Sequence, residues 1–260
     1  MKTVVLTGAS SGIGLATGEY LAQNGYKVYG LSRTSGNSPL INFISCDVTD
    51  RLQVENAFKN IPEDIYAVIN NAGMGISGPV ELAEVDEIKK IFKVNVLGVI
   101  NVCQIAIPYL RKTKGRIINI GSVAGEMTIP FQVFYSMSKA GVATVSEGLN
   151  MELKPFGIKV TMVMPGDTQT GFTKNREKTD NLDDLYKDRY LRSISKMEQD
   201  EQKGKSPLSV AKVIAKVLRR KHPPIKVTVG WEYKLLVFLK RLVSARALNN
   251  ILYQMYARKK

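Results

Sequence analysis

Histidine and tryptophan occur once each, as His222 and Trp231, and cysteine twice, as Cys46 and Cys103. One histidine excludes mechanisms and metal centres that need several, so no metal is expected. Two cysteines cannot build a disulfide framework or a four-cysteine zinc site. Both lie in apolar-flanked segments and read as buried packing residues. No apolar run approaches the ~20 residues of a membrane-spanning helix. Met1-Lys2 leads straight into Thr3-Val4-Val5-Leu6, which reads as a strand and not as an export signal, so the expected compartment is cytoplasmic.

Acid is also scarce, and unevenly so. The 260 residues carry 37 Lys/Arg against 23 Asp/Glu, a net charge of +14 with histidine neutral. Residues 212–260 hold 13 basic residues and one acid, Glu232, while residues 1–211 are nearly balanced at 24 basic and 22 acidic. The body is close to neutral and the tail strongly basic. Such a tail is either a solvated helical surface or a contact for an anionic surface, lipid or nucleic acid. At 44% hydrophobic residues the chain has enough apolar sequence to fold around a core, which excludes disorder as its main state.

Short β-rich runs alternate with helical patterns over the first two-thirds. Val4–Leu6, Lys27–Leu31, Asn42–Ser45, Ala67–Ile69, Arg116–Ile120 and Lys159–Met164 read as strands, with Ile225–Val229 a last one. Helical spacing marks Ile13–Asn24, Arg51–Lys59, Ile88–Leu110 and Phe134–Lys154. Near-continuous apolar strands alternating with helices predict an α/β, Rossmann-like, doubly wound parallel sheet with helices on both faces. Residues 1–230 form this single domain. Within it, 168–205 turns polar, with Leu182, Leu185, Tyr186, Tyr190, Leu191, Ile194 and Met197 at helical steps, and reads as a substrate lid. Residues 231–260 form a basic amphipathic extension. Trp231, Leu235, Phe238, Leu239 and Leu242 share a stripe, which suits an interfacial anchor on anionic membrane; packing on the body is the rival. No single-strand nucleic-acid platform is present, so no nucleic acid is expected.

Thr7-Gly8-Ala9-Ser10-Ser11-Gly12-Ile13-Gly14 lies between a strand and a helix. Gly8 permits a tight turn, Gly12 close approach of a pyrophosphate, and Gly14 close helix–strand packing, with the helix N-terminus facing the anion. The next strand ends in Ser32-Arg33-Thr34, without the acid that would take a ribose 2′-hydroxyl. Arg33 suits a 2′-phosphate, helped by Ser32 or Thr34, so NADP(H) is expected over NAD(H).

Tyr135 and Lys139 are one helical turn apart and project from one face. An ammonium beside a phenol lowers its pKa and makes a proton-transfer device. Ser122 follows a strand at the carboxyl end, where open α/β sheets bind ligands, and can hold a carbonyl oxygen. Asn95 is an unusual choice for a helix interior and is expected to fix a water or the helix backbone near the site, or else to be a satisfied core amide.

Taken together, these motifs resemble those of the short-chain dehydrogenase/reductase family, across residues 1 to about 230. The matching pieces are Thr7–Gly14, Asp47-Val48, Asn70-Asn71-Ala72-Gly73, Asn95, Ser122, Tyr135-x-x-x-Lys139 and Pro165-Gly166 followed by Thr170. The resemblance implies a nicotinamide-dependent alcohol–ketone oxidoreductase with an Asn95–Ser122–Tyr135–Lys139 tetrad. Tyr135 would donate the proton, Ser122 position the oxygen, Lys139 lower the Tyr135 pKa and bind the nicotinamide ribose, and Asn95 hold a relay water. It also implies cofactor contacts from Asp47 and Val48 at the adenine, from Asn71 and Ala72 along the adenosine side, and from Gly73. Thr168 and Thr170 would lie at the carboxamide and diphosphate, Pro165 and Gly166 would also contact the cofactor, and a dimer or tetramer is implied. Ser11 stands where many NADP-using relatives carry a basic residue. Phe131–Tyr135 and Phe156-Gly157 resemble the hydroxysteroid and retinol dehydrogenase branch, which implies a bulky apolar carbonyl or alcohol substrate: steroid, retinoid or lipid-derived. Phe131, Met127, Phe172, Leu182, Leu185 and Tyr186 are candidates to line its pocket, or else core residues. The alternative is an NADP(H)-binding regulatory or membrane-surface interaction protein with little turnover.

Overall fold

The computed structural model describes residues 1–179 and 182–258. The strands are β1 (Lys2–Thr7), β2 (Tyr26–Ser32), β3 (Asn42–Ser45), β4 (Ile65–Asn70), β5 (Ile76–Ser77), β6 (Arg116–Ile120), β7 (Lys159–Met164), β8 (Glu177–Lys178) and β9 (Lys226–Thr228). The helices are α1 (Gly12–Gln23), α2 (Arg51–Lys59), α3 (Val85–Phe92), α4 (Gly98–Thr113), α5 (Val133–Glu152), α6 (Asp184–Gln202), α7 (Pro207–Arg219), α8 (Trp231–Leu239) and α9 (Ala245–Tyr256). Seven strands pair in parallel in the order β3-β2-β1-β4-β6-β7-β9, and β5 with β8 makes a small second sheet.

Central strands buried on both faces explain the continuous apolar runs. Val4, Val5 and Leu6 of β1 are each 0% exposed, with Val5 in the cluster under α2, α4 and α5 and its neighbours in the cluster under α1 and α7. Because β1 pairs with β2 on one side and β4 on the other, the chain leaving β1 and the chain leaving β4 diverge at the carboxyl edge. That divergence opens the crevice in which such sheets take ligands.

One segment departs from the expectation that no apolar run has membrane-spanning length: Val85–Thr113 is continuously helical and contains an 18-residue stretch with a mean hydropathy of 1.6. It packs along the sheet as a core helix, burying Ile91, Val99, Val102, Cys103, Ala106 and Leu110. Its middle, Lys93–Leu97, is a π-helical turn, a distortion frequent at functional sites.

The expected lid is one long helix, α6, preceded by turns and by β8. Tyr190, Ile194 and Met197 are buried against Ile129, Phe131, Leu182 and Tyr256. Leu185 and Leu191 instead face solvent, 78% and 52% exposed, so Leu185 lines no pocket. The extension is two helices and not one, broken at Val243-Ser244, where the Ser244 hydroxyl accepts from the Ala247 N–H at 3.2 Å and caps α9. It docks on the body through Tyr233, Lys240 and Tyr256, while all five residues of the predicted stripe stay exposed.

Candidate active site

β1 runs into the glycine-rich turn, where Gly8 and Gly12 have φ of +64° and +54°, values that favour glycine. A Cβ on Gly14 would fall 2.0 Å from the Gly8 carbonyl oxygen, so nothing larger lets α1 sit this close to the strand. The Ser11 side chain makes no cap hydrogen bond to the first turn of α1, which leaves those N–H groups for an anion. Ser10, Ser11 and Ile13 border this turn. Thr170 lies opposite, its Cβ 3.4 Å from a Cβ built on Gly12. The geometry therefore fits a diphosphate between the turn and the loop after β7.

The two chain exits are stitched together. Thr7 Oγ1 accepts from the N–H groups of Asn71 and Ala72 at 3.0 Å each. The Asn71 amide donates to the Thr7 and Gly8 carbonyls at 3.1 Å. Asn71 thus clasps the turn itself. At the far end of β2, Ser32 Oγ donates to the Thr34 carbonyl at 2.7 Å and shapes the bend that presents Arg33. Arg33 is exposed, and among the described residues no carboxylate lies within 4 Å of it. One Asp47 carboxylate oxygen accepts from the Thr49 N–H at 2.8 Å, and the Val48 carbonyl accepts from Asn101 at 3.1 Å.

Asn95 sits in the π-helical turn, 0% exposed. Its amide donates to the Met74 carbonyl at 2.9 Å and to Ser138 Oγ at 3.0 Å, and its oxygen accepts from the Met74 N–H at 2.8 Å. It fixes the loop backbone after β4 beside the site, with its oxygen and its amide nitrogen both partnered. A Cβ on Gly73 would lie 3.2 Å from Asn95 Oδ1 and 3.6 Å from Lys139 Nζ, so Gly73 threads between amide and ammonium.

Ser122 ends the loop after β6, its Oγ accepting from the Ala124 N–H at 3.0 Å. Tyr135 and Lys139 come from the first turns of α5. The Lys139 ammonium donates to the Ile120 carbonyl at 3.0 Å and lies 5.8 Å from the Tyr135 ring centre. Burial alone brings it down to about 8. Burial pushes the Tyr135 phenol up to about 12; the hydrogen bond with Ser122 opposes this most, Glu201 and Asp167 add to it, and Arg176 counters them. Ser122 is the largest lowering influence on the phenol, and the Lys139 hydrogen bond goes to Ile120. Two hydroxyls meeting beneath an apolar wall, with Phe172 5.7 Å from the Tyr135 ring, can together hold and protonate an oxygen.

Three features escaped the sequence reading. A buried chain runs from Asn70 to Asn119 Oδ1 at 2.8 Å and from the Asn119 amide to Ser146 Oγ at 2.9 Å, tying β4, β6 and α5 together. Arg176, 4% exposed, pairs with Glu201 behind Phe172. Tyr233 of α8 lies flat on Gly166, where a Cβ would fall 2.3 Å from the ring, and its hydroxyl accepts from the Asp167 N–H at 3.0 Å while donating to the Asp167 carboxylate at 2.6 Å. Thr168 Oγ1 donates to the Gly166 carbonyl at 3.0 Å, and the Pro165 carbonyl accepts from the Val123 N–H at 3.0 Å. Of the apolar candidates, Phe172 stands over the site, whereas Phe131 turns edge-on to Tyr190 of α6, 5.7 Å away. A hydroxyl pair and a diphosphate cradle at one edge of a doubly wound sheet define a nicotinamide-dependent oxidoreductase.

Comparison with known proteins agrees. The family model described as short chain dehydrogenase matches residues 2–181, and the chain belongs to that family, acting on CH–OH/C=O groups with a nicotinamide cofactor. It is 43% identical over 237 residues to a 3-ketodihydrosphingosine reductase of Bacteroides thetaiotaomicron, covering 88% of each chain. It is 29% identical over 261 residues to mouse retinol dehydrogenase 16, covering 90% of this chain and 82% of that one. A short-chain dehydrogenase structure from Streptomyces avermitilis superposes with a TM-score of 0.83 at 26% identity, covering 95% of this chain and 93% of that one.

Proposed function

We propose that the protein reduces a ketone on a long, apolar, lipid-derived chain to the alcohol, using NADPH. The observation that carries this reading is the Ser122–Tyr135 hydroxyl pair under Phe172. The similarity to a 3-ketodihydrosphingosine reductase supports a substrate of that kind. NADPH, held between the glycine-rich turn and Thr170, would supply the hydride for the carbonyl carbon. The chain's own work is to orient and to move the proton. Ser122 Oγ holds the carbonyl oxygen and the Tyr135 phenol gives it a proton; a phenol that burial keeps protonated is suited to act as the acid. Lys139, held at Ile120 and bordered by Gly73, would meet the nicotinamide ribose, and Asn95 fixes the Met74 backbone nearby.

Arg33, exposed and without a carboxylate within 4 Å among the described residues, supports NADP(H) over NAD(H). Gly8, Ser10, Ser11, Gly12, Ile13 and Gly14 would carry the diphosphate with Thr170. Asp47, Val48, Asn71 and Ala72 would flank the adenosine, and Pro165, Gly166 and Thr168 the nicotinamide end. Exposed Leu97, Met137 and Met151 support a homo-oligomer. Two free buried thiols suit a reducing cytoplasm, and the exposed stripe of α8 suits contact with a lipid surface. The test is cofactor oxidation against ketones of increasing chain length with NADPH and NADH in parallel. The expected result is a kcat/KM that rises with chain length and favours NADPH. Equal rates with both cofactors, or turnover of short ketones alone, would refute the corresponding half.

A further inference from the structure

Between α7, β9 and α8 lies a cleft of about 450 Å³. Its apolar lining includes Val217, Val227 and Val237. Lys216, Arg220, Lys234 and Arg241 also line it, and among the described residues no carboxylate lies within 4 Å of any of the four. A fifth cation there, Lys226, is already committed to Glu126 and Glu147 at 3.1 and 2.7 Å. Four like charges lining one cleft without a carboxylate in reach give it a positive potential that an anion would offset.

The cleft is continuous with the exposed stripe of α8. Phe238 belongs to both: it lines the cleft and is 56% exposed. Trp231, Leu235 and Leu242 continue the stripe at 74%, 49% and 69% exposure. By helical spacing this stripe is opposite Tyr233 and Lys240, which dock on Asp167 and Glu126. Docking therefore turns the apolar face outward. An amphipathic helix flanked by unpaired cations has the composition of an interfacial element, and the near-neutral charge of residues 1–211 means that an anionic surface would draw in this end of the molecule first.

We propose that the cleft is a headgroup site for anionic phospholipid at a bilayer surface. Lys216, Arg220, Lys234 and Arg241 hold the phosphate, and Trp231, Leu235, Phe238 and Leu242 enter the acyl region. This rests on the lipid-surface contact in the proposed function and names the residues that make it.

The test is sedimentation of the full chain with vesicles of phosphatidylcholine alone or mixed with phosphatidylglycerol. The cleft variant is K216Q/R220Q/R241Q. A control, K59Q/K112Q/K203Q, removes the same charge from exposed positions elsewhere. Unchanged circular-dichroism melting confirms that both variants fold. Wild type should bind the anionic vesicles, the cleft variant on the order of a hundredfold more weakly, and the control within about threefold of wild type. Equal losses in both variants would overturn the site in favour of diffuse attraction. Retained binding by the cleft variant, with loss in L235S/L242S, would overturn the headgroup site and leave the lipid contact standing. No binding by wild type to either vesicle would overturn both. Protection from heat by inorganic phosphate without vesicle binding would assign the cleft to a free anion. A dimer that L235S/L242S dissociates, again without vesicle binding, would assign the face to a second copy.

Discussion

Replacing Lys139 by methionine exchanges a buried ammonium for an apolar chain of similar length. The folded protein holds this ammonium at about 8, against an ordinary 10.5, because burial disfavours its charge. Between those values the unfolded chain keeps the proton and the folded chain releases it. Stability of the wild type therefore rises with pH through that window. A 2.5-unit difference corresponds to about 3 kcal/mol, which is the full penalty near pH 7 and is nearly gone at pH 10.5. The variant carries no such penalty. It loses the Nζ hydrogen bond to the Ile120 carbonyl, worth about 1–2 kcal/mol at any pH. Lys139→Met should thus match or slightly exceed the wild type in stability at pH 7 and fall below it above pH 10. Urea unfolding followed by circular dichroism at a series of pH values reads the difference, in which the other titrating groups cancel. A wild-type-minus-variant difference that is flat, or that falls as pH rises, would refute the reasoning.

Arg33→Asp should lower the NADPH-to-NADH preference by about 10- to 100-fold, the loss of one charge-assisted contact; an unchanged kcat/KM ratio would exclude Arg33 from the cofactor. Tyr233→Phe removes both hydrogen bonds to Asp167, whose carboxyl burial already raises and which Tyr233 holds down. It should cost about 1–3 kcal/mol of stability and raise the cofactor KM, read by melting and by initial rates. Asn119→Leu removes two buried hydrogen bonds, leaving the Asn70 amide only Cys103 Sγ and the Ser146 hydroxyl only the Val142 carbonyl, and should cost about 2 kcal/mol in urea unfolding.

The sheet was legible because each central strand is buried on both faces and so reads as an unbroken apolar run; Arg116–Ile120 and Lys159–Met164 coincide with β6 and β7 to the residue. The shared face of Tyr135 and Lys139 was legible from spacing, since they are one turn apart on a single helix; their grouping with Asn95 and Ser122 came from the family resemblance. Long-range polar pairs were not. Asn70 and Asn119 lie on adjacent strands 49 positions apart, and nothing local in either segment names the other. The pairing of Arg176 with Glu201 has the same origin, and it places charges near Tyr135 that no motif reports. The role of Tyr233 depends on where α8 turns back onto Gly166. The break before α9 was within reach, because Ser244 ahead of Ala245 is a helix-capping signal of the usual kind. The hydropathy of residues 85–113 shows the opposite limit: it measures apolar content and does not distinguish a sheet from lipid as the partner.

The most direct test of the proposed chemistry is oxidation of NADPH by a long-chain ketone, compared between wild type and Tyr135→Phe, with NADPH affinity measured on both. Loss of the phenolic proton with retention of the ring should lower turnover by about 10²- to 10⁴-fold while leaving NADPH affinity within about threefold. Turnover by the variant at the wild-type rate would contradict the assignment of Tyr135 as the acid.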